Sequence, residues 1–406
     1  MKTDIKLAWR NLWRNKRRTI ITIASIFFGV ILSTYMTSMQ EGSYEKMVEN
    51  AVRFYSGHIQ VQNEDFWENK TINNTFEETD SLKAKIASVP GIQLVVPRLE
   101  SFALASSKQL TKGAMVLGVD PQKEDQLTEI SKKMVRGKYL KKGSDGILMG
   151  ETLAKYLQVD VGDTLVLLGQ GYHGINAAGL FPIRGIFKHP SPTLDRQLIY
   201  MDLSTAQNFY SADHLLTSLA MLVNEADEVP HIVKELKAKI HSPYRIMSWD
   251  EMQPELVQQI NGDRDSGAIM KIILFLVIGF GILGTIIMMV AERRREFGVM
   301  VSVGMQKTRL AWMLIYETFI IGLLGILSGS LAALPILYYQ YFHPIKLGGQ
   351  AGQMMVDMGF EPYMYFSLAP KVFTFQVLII FIIIMVISIY PFASALMLKE
   401  NKALRA

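Results

Sequence analysis

The sequence predicts an α-helical membrane protein with four transmembrane helices and a large α+β extracytoplasmic domain between the first and the second. Three observations carry that expectation. Four stretches, residues 19–39, 268–291, 311–339 and 372–398, are long and apolar enough to span a bilayer, which takes about 20 residues for a ~30 Å core. Charge is unevenly shared: residues 1–18, 292–310 and 399–406 hold fifteen Lys/Arg against four acids, and residues 40–267 hold twenty-four against thirty. Finally, residues 40–267 alternate between strand-like and helix-like periodicity, as a folded domain does.

The first element, "MKTDIKLAWRNLWRNKRR" (1–18), sets Ile5, Ala8, Trp9, Leu12 and Trp13 on one helical face and Lys6, Arg10, Arg14 and Arg17 on the other. That pattern reads as an in-plane amphipathic helix, with tryptophans at headgroup depth and cations toward anionic lipid. The first span, 19–39, is too long for a removed signal peptide and lacks a small-residue cleavage site, so it reads as an uncleaved anchor. The positive-inside rule places both termini and the 292–310 loop in the cytoplasm and residues 40–267 outside. The net charge of +5 is then a matter of topology and not of nucleic-acid binding.

Within residues 40–267, "YEKMVENAVRF" continues helically and "SGHIQVQN" alternates as a strand. Residues 80–90 form a short helix stopped at Pro90-Gly91. "LVVPRLESFALAS" and "KGAMVLGVDP" read as strands. "GILMGETLAKYLQVDVGDTLVLLG" gives strand, helix, Gly-Asp turn and strand. Gly169–Gly179, "GQGYHGINAAG", is a flexible excursion that either reaches a partner or forms a plain hairpin loop. Two more strands and a helix follow, then alternation at Leu216–Val223, a helix at 227–240 and a short strand at Tyr244–Met247. Residues 250–267 are polar and helix-prone and lead into the second span, whose single charge, Lys271, lies near its outer end. The outer loop, 340–371, is rich in Gly, Pro and aromatics.

Chemical sites are absent. There is no cysteine, hence no disulfide framework and no thiol nucleophile. The seven histidines form no metal-ligand pattern, no Gly-x-Ser-x-Gly elbow occurs, and Gly-Lys appears only in "VRGKYL", outside any phosphate-binding loop. An enzyme is therefore not expected. The spans carry too few ionisable residues for an ion pathway.

Taken together and in order, several motifs resemble the FtsX/MacB-type permeases of ATP-binding-cassette (ABC) systems. "LAWRNLWRNKRRTIITIASI" is similar to their N-terminal elbow helix and first span. "GHIQV", "PRLESFALA", "GVDP", "LMGETLAKYLQVDVGDTLVL" and "IRGIFKHPSPTLDRQLIYMDLSTAQ" resemble their MacB-like periplasmic core. Within the last run, Gly185, Ile186, Phe187, Asp195, Ala206 and Gln207 most resemble the lipoprotein-releasing LolC/LolE branch. "ERRREFGVMVSVGMQKTRLAWMLIYE" looks like the family's coupling segment, and "YPFASALMLKENKALR" like its C-terminal signature, with Glu400-Asn401 where the family tends to have proline.

The resemblance implies a non-catalytic permease subunit in the bacterial inner membrane. It would work with separate ABC ATPase subunits that bind ATP and Mg2+, and with a second permease copy or paralogue. A lipoprotein would be its substrate and a periplasmic carrier the recipient. The alternatives are an efflux permease for drugs, peptides or toxins, and a regulator of a cell-wall hydrolase. Residues 292–310 would be the coupling helix, with Phe297, Met300, Val301 and Met305 as apolar contacts in an ATPase groove. Arg293, Arg294, Arg295, Lys307 and Arg309 would hold headgroups or acidic rim residues, and Gly298 and Gly304 would permit close approach. Phe27, Phe28, Tyr35, Met36 and Met39 either contact acyl chains or pack between helices. Gly322, Gly325 and Gly329 form a small-residue seam, either within the chain or across a dimer. Glu317 reads as an interfacial anchor or the partner of a nearby cation.

Overall fold

A computed structural model describes residues 2–14, 16–108, 110–357 and 361–398. The tail 399–406, including the departure at Glu400-Asn401, and the side chain of Ile5 lie outside the described residues. The chain divides into two compact units. One comprises residues 1–46, 259–346 and 363–406, and the other residues 47–258 and 347–362.

The first unit is helical. A short helix, Lys2–Arg14, precedes four helices that, among the described residues, are long and apolar enough to cross a membrane: Lys16–Ser56, Pro254–Glu292, Lys307–Phe342 and Pro370–Leu396. The first of these is α-helical through Ala51 and closes with a π turn, Val52–Ser56. At 1.5 Å per residue, the 36 residues of Lys307–Phe342 extend about 54 Å. The apolar core of this unit includes Leu12, Ile26, Val30, Ile282, Ile286, Phe297, Leu310, Ile321, Ile380 and Ile384. Polar side chains stitch the first long helix to the fourth and to the segment just before it inside that layer. Gln376, fully buried, donates to Thr37 Oγ1 at 3.0 Å, and Ser38 donates to the Ser367 carbonyl at 2.7 Å. Gly42 makes room there: a Cβ would lie 2.4 Å from the Phe366 backbone.

The second unit is mixed α/β. Its main sheet orders its strands as Tyr244–Ser248, Ile59–Asn63, Ser218–Val223, Ile92–Ser107, Leu110–Val119, Leu198–Asp202, Ile147–Gly150, Asn176–Phe187 and Met134–Gly137. A tenth strand, Thr164–Gln170, pairs with both Ile92–Ser107 and Asn176–Phe187. Six strands thereby form a closed hydrogen-bonded circuit with no free edge. Ile92–Ser107 makes this possible by its length of 16 residues: its first half pairs with Ser218–Val223 in the open part of the sheet, and its second half enters the barrel.

Inward-facing Leu99, Ala103, Val116, Ile147, Met149, Leu165, Leu167, Phe181, Ile183, Ile199 and Met201 belong to one buried cluster. A second cluster joins the open part to helices Asp80–Ala87 and Val229–Lys239 through Ile59, Leu82, Ile86, Leu219, Ile232 and Leu236. The helices begin where the sequence offers caps: Thr79 accepts from the Leu82 amide, Asp120 from Gln122 and Lys123, and Asp202 from Ser204. Gly169–Gly179 is largely paired strand, with Gly169 opposite Ala177 and Leu167 opposite Gly179, so the expected excursion shrinks to a hairpin tip at 171–175.

Candidate coupling site

Between the second and third long helices, the 292–310 segment forms a separate short helix, Arg294–Ser302. Gly304 ends it at φ 104°, a conformation that side chains avoid, while Val303, Gly304 and Met305 amides return to the Val299, Val301 and Met300 carbonyls. The chain re-enters a helix at Lys307.

This short helix has two apolar faces. Phe297 is 2% exposed and packs into the unit's own core, with Met300, Val301 and Met305 half-buried against the same cluster. The face turned outward carries Val299 and Val303, the latter 83% exposed. They line an open groove of about 690 Å³ with Met300, Gly304, Met305, Gln306 and Arg309. Of the residues expected to face outward, Phe297 and Gly298 are instead buried inside the unit, whereas Val299 and Val303, which the sequence does not single out, are exposed. The signal existed: Val299 and Val303 are four residues apart, as are Phe297 and Val301, on opposite sides of the helix. A nine-residue stretch with two apolar stripes does not itself show which stripe faces its own core.

The arginines separate in the same way. Arg294 and Arg295 are exposed. Arg293 is 8% exposed, and its Nη1 lies 2.6 Å from Oε2 of the fully buried Glu317. Arg293 is thus a partner of Glu317, not an outward contact for headgroups or a rim. Its guanidinium also sits 5.1 Å above the Phe297 ring and 3.5 Å from Glu296. Glu296 pairs with Arg14, and Glu292 with Arg18. In helix Lys2–Arg14, Ala8 and Leu12 are buried while Trp9 and Trp13 are exposed and meet edge to face at 5.9 Å.

The remaining candidates do not gather into one site. Gly325 and Gly329 lie against the first long helix, where a Cβ would fall 2.6 Å from Ile26 Cβ and 2.9 Å from Val30 Cβ; Gly322 faces Ile384. Phe28 is 59% exposed, with Phe27 edge-on to it. Tyr35 packs against Phe366 at 5.0 Å, and Met36 and Met39 are half-buried. Among the described residues, no group of His, Asp or Glu is arranged to hold a metal ion.

In the second unit the end of the first long helix is held by a collar of side chains. Gln253 donates to the Ala51 carbonyl, Arg98 to that of Tyr55 and Gln60 to that of Ser56. His189 Nε2 lies 3.3 Å from the Phe54 carbonyl, and its Nδ1 accepts the Ser191 amide. Burial pulls the His189 pKa down to about 4, so the ring is neutral at pH 7 and Nε2 carries the proton. Arg98, 1% exposed, forms a two-pronged pair with the fully buried Glu124 at 2.9 and 2.6 Å. The motif residues of the 185–207 run are structural. Asp195 accepts from the His189 and Thr152 amides, Ala206 packs on Gly118, Gln207 donates to the Leu215 carbonyl, and Ile186 and Phe187 are fully buried.

Residues 19–239 match the MacB-like periplasmic core domain, and residues 268–398 match the FtsX-like permease C-terminal. The chain is 23% identical over 259 residues to the lipoprotein-releasing system transmembrane protein LolC of Xylella fastidiosa (strain 9a5c), a match covering 61% of this chain and 62% of that one. It is 22% identical over 350 residues to the macrolide export ATP-binding/permease protein MacB 1/2 of Paracoccus denitrificans (strain Pd 1222), covering 81% of this chain and 50% of the other. Each match thus spans less than two thirds of the relative's length. Among solved structures, the periplasmic region of MacB from Actinobacillus actinomycetemcomitans aligns over 50% of this chain and 95% of its own, with 14% identity and a TM-score of 0.36. Two family matches, in order, account for most of the sequence: the chain belongs to the FtsX/MacB-type family of ABC transporter permeases.

Proposed function

We propose that this chain is the permease subunit of an ABC transporter that couples ATP hydrolysis on a separate ATPase to extraction of lipoproteins from the outer leaflet of the bacterial inner membrane. Both termini and the 292–310 segment are cytoplasmic in this reading, and residues 40–267 are periplasmic. A second permease, copy or paralogue, completes the membrane part, and a periplasmic carrier takes the product. The observation that carries the coupling role is the groove beside Arg294–Ser302: exposed Val299 and Val303 sit beside exposed arginines on a short helix between two long apolar ones. Val299, Val303, Met300 and Met305 together give that groove an apolar lining suited to a partner's apolar side chains. The lipoprotein substrate rests on the likeness to LolC. Work is transmitted mechanically, because the apolar windows of the long helices hold at most two charged residues each, too few for a polar path.

The likeness to a macrolide export permease keeps efflux as the second reading. Purification of the complex in nanodiscs, followed by mass spectrometry, separates the two. An ATPase with acylated lipoproteins supports release, and an ATPase with a periplasmic adaptor and no lipoprotein overturns it in favour of efflux. A cell-wall hydrolase overturns both. Val303→Asp puts a charge in the groove and abolishes ATPase co-purification without loss of membrane insertion; normal co-purification removes this account of the groove.

A further inference from the structure

We infer that Arg293 and Glu317 form a latch that fixes the register of the coupling helix on the third long helix, so that the two move as one piece when an ATPase pushes on the groove. The inference rests on the proposed docking at Arg294–Ser302 and deepens it: it assigns the path by which a push leaves the groove.

One guanidinium ties three elements together. Arg293 precedes the coupling helix and pairs with Glu317 on the third long helix at 2.6 Å. Its Nε faces Glu296, on the coupling helix, at 3.5 Å, and Glu296 pairs in turn with Arg14 at the end of the elbow helix. The inner half of this relay is enclosed: Glu317 is fully buried and Arg293 8% exposed, while Arg14 and Glu296 are open to solvent. Stability alone does not account for such a pair. Removing two charges from water offsets most of their attraction, and apolar residues of similar volume usually hold a fold equally well. What a buried pair does supply is one permitted register. Apolar contacts such as those of Phe297 and Leu310 in the same core survive sliding, because many neighbouring positions are nearly as good. Sliding the guanidinium off a buried carboxylate leaves a charge without compensation. A push on the coupling helix is thereby delivered to the third long helix, with the elbow helix as a softer, solvent-screened attachment.

The chain has no cysteine, so a spin-label pair can be introduced cleanly at Ser302→Cys and Leu323→Cys, one on each of the two helices. Distances are read by pulsed electron paramagnetic resonance on the full chain in nanodiscs. The unaltered latch gives a single narrow distribution. Arg293→Met with Glu317→Leu, which keeps volume and removes both charges, broadens it about twofold as one register gives way to several. The swapped pair, Arg293→Glu with Glu317→Arg, narrows it again. A distribution equally narrow in the apolar double variant overturns the latch, whether or not any ATPase binds. In the assembled complex, the double variant keeps ATPase association and ATP hydrolysis but lowers substrate release per ATP about tenfold or more. Release at the unaltered rate also overturns the proposal. Failure of the unaltered chain to bring down any ATPase is a different result, and it counts against the docking reading instead.

Discussion

Replacing single glycines by alanine in the long helices tests the packing of the first unit, because each site meets a different neighbour. At Gly325 the added methyl lies 2.6 Å from Ile26 Cβ, 2.7 Å from Ile26 Cγ2 and 3.2 Å from the Ile23 carbonyl. The nearest atom is a branched Cβ fixed to its own helix, so no rotamer change relieves the contact and the helices must separate. Overpacking of this kind costs about 1–3 kcal/mol, less the ~1 kcal/mol that alanine gains over glycine in a helix. At Gly281 and Gly284 nothing lies within 4 Å, so only the gain remains.

Gly325→Ala is expected to lose up to ~2 kcal/mol net, a melting temperature lower by up to about 2 °C for a chain of 406 residues. Gly281→Ala and Gly284→Ala are expected to be neutral or up to ~1 kcal/mol more stable as the isolated chain. The assay is thermal unfolding in one detergent, followed by intrinsic tryptophan fluorescence, with the purified variants side by side. If Gly325→Ala melts with or above Gly281→Ala, the close approach of the first and third long helices is wrong. If Gly281→Ala is stable but no longer assembles into the complex, a partner helix lies against that face.

Two further predictions concern the second unit. Arg98→Met leaves the fully buried Glu124 without a counter-charge, and is expected to cost about 3–5 kcal/mol, seen as faster hydrogen exchange of amides in Ile92–Ser107; adding Glu124→Leu recovers most of it. The folded His189 pKa, about 4 against an ordinary 6.5, means that the unfolded chain binds the proton more readily. Its contribution is complete above pH 6.5 and is lost as pH falls toward 4, by about 3 kcal/mol over that window. Chemical denaturation across this range detects it, and His189→Gln, which keeps a donor for the Phe54 carbonyl, flattens this part of the pH dependence.

Much of the architecture was legible from local rules. Long apolar runs name their helices, Pro90-Gly91 marks a stop, and alternation marks strands. What local rules did not reach is order in space. The closure of six strands depends on Thr164–Gln170 finding both Ile92–Ser107 and Asn176–Phe187, and no residue in those strands encodes its neighbour. The helix Pro121–Thr128 was missed although Asp120-Pro121 is a strong start signal, because the stretch before it read as a strand running into a turn. At the candidate site, the basic and apolar character of 292–310 was plain in the sequence. Which arginine faces inward was not, since that depends on Glu317, 24 positions away from Arg293.

The collar around the last turn of the first long helix has a consequence for how twist travels. A helix end normally frays, because its final carbonyls answer only to water, and a frayed turn absorbs rotation as a loose thread absorbs torque. Here the carbonyls of Ala51, Phe54, Tyr55 and Ser56 each meet a side chain from a different part of the second unit. The joint behaves like a splined shaft: rotation of residues 47–51 has no slack turn in which to be lost, and must either turn the strands that carry Gln60 and Arg98 or break four hydrogen bonds together.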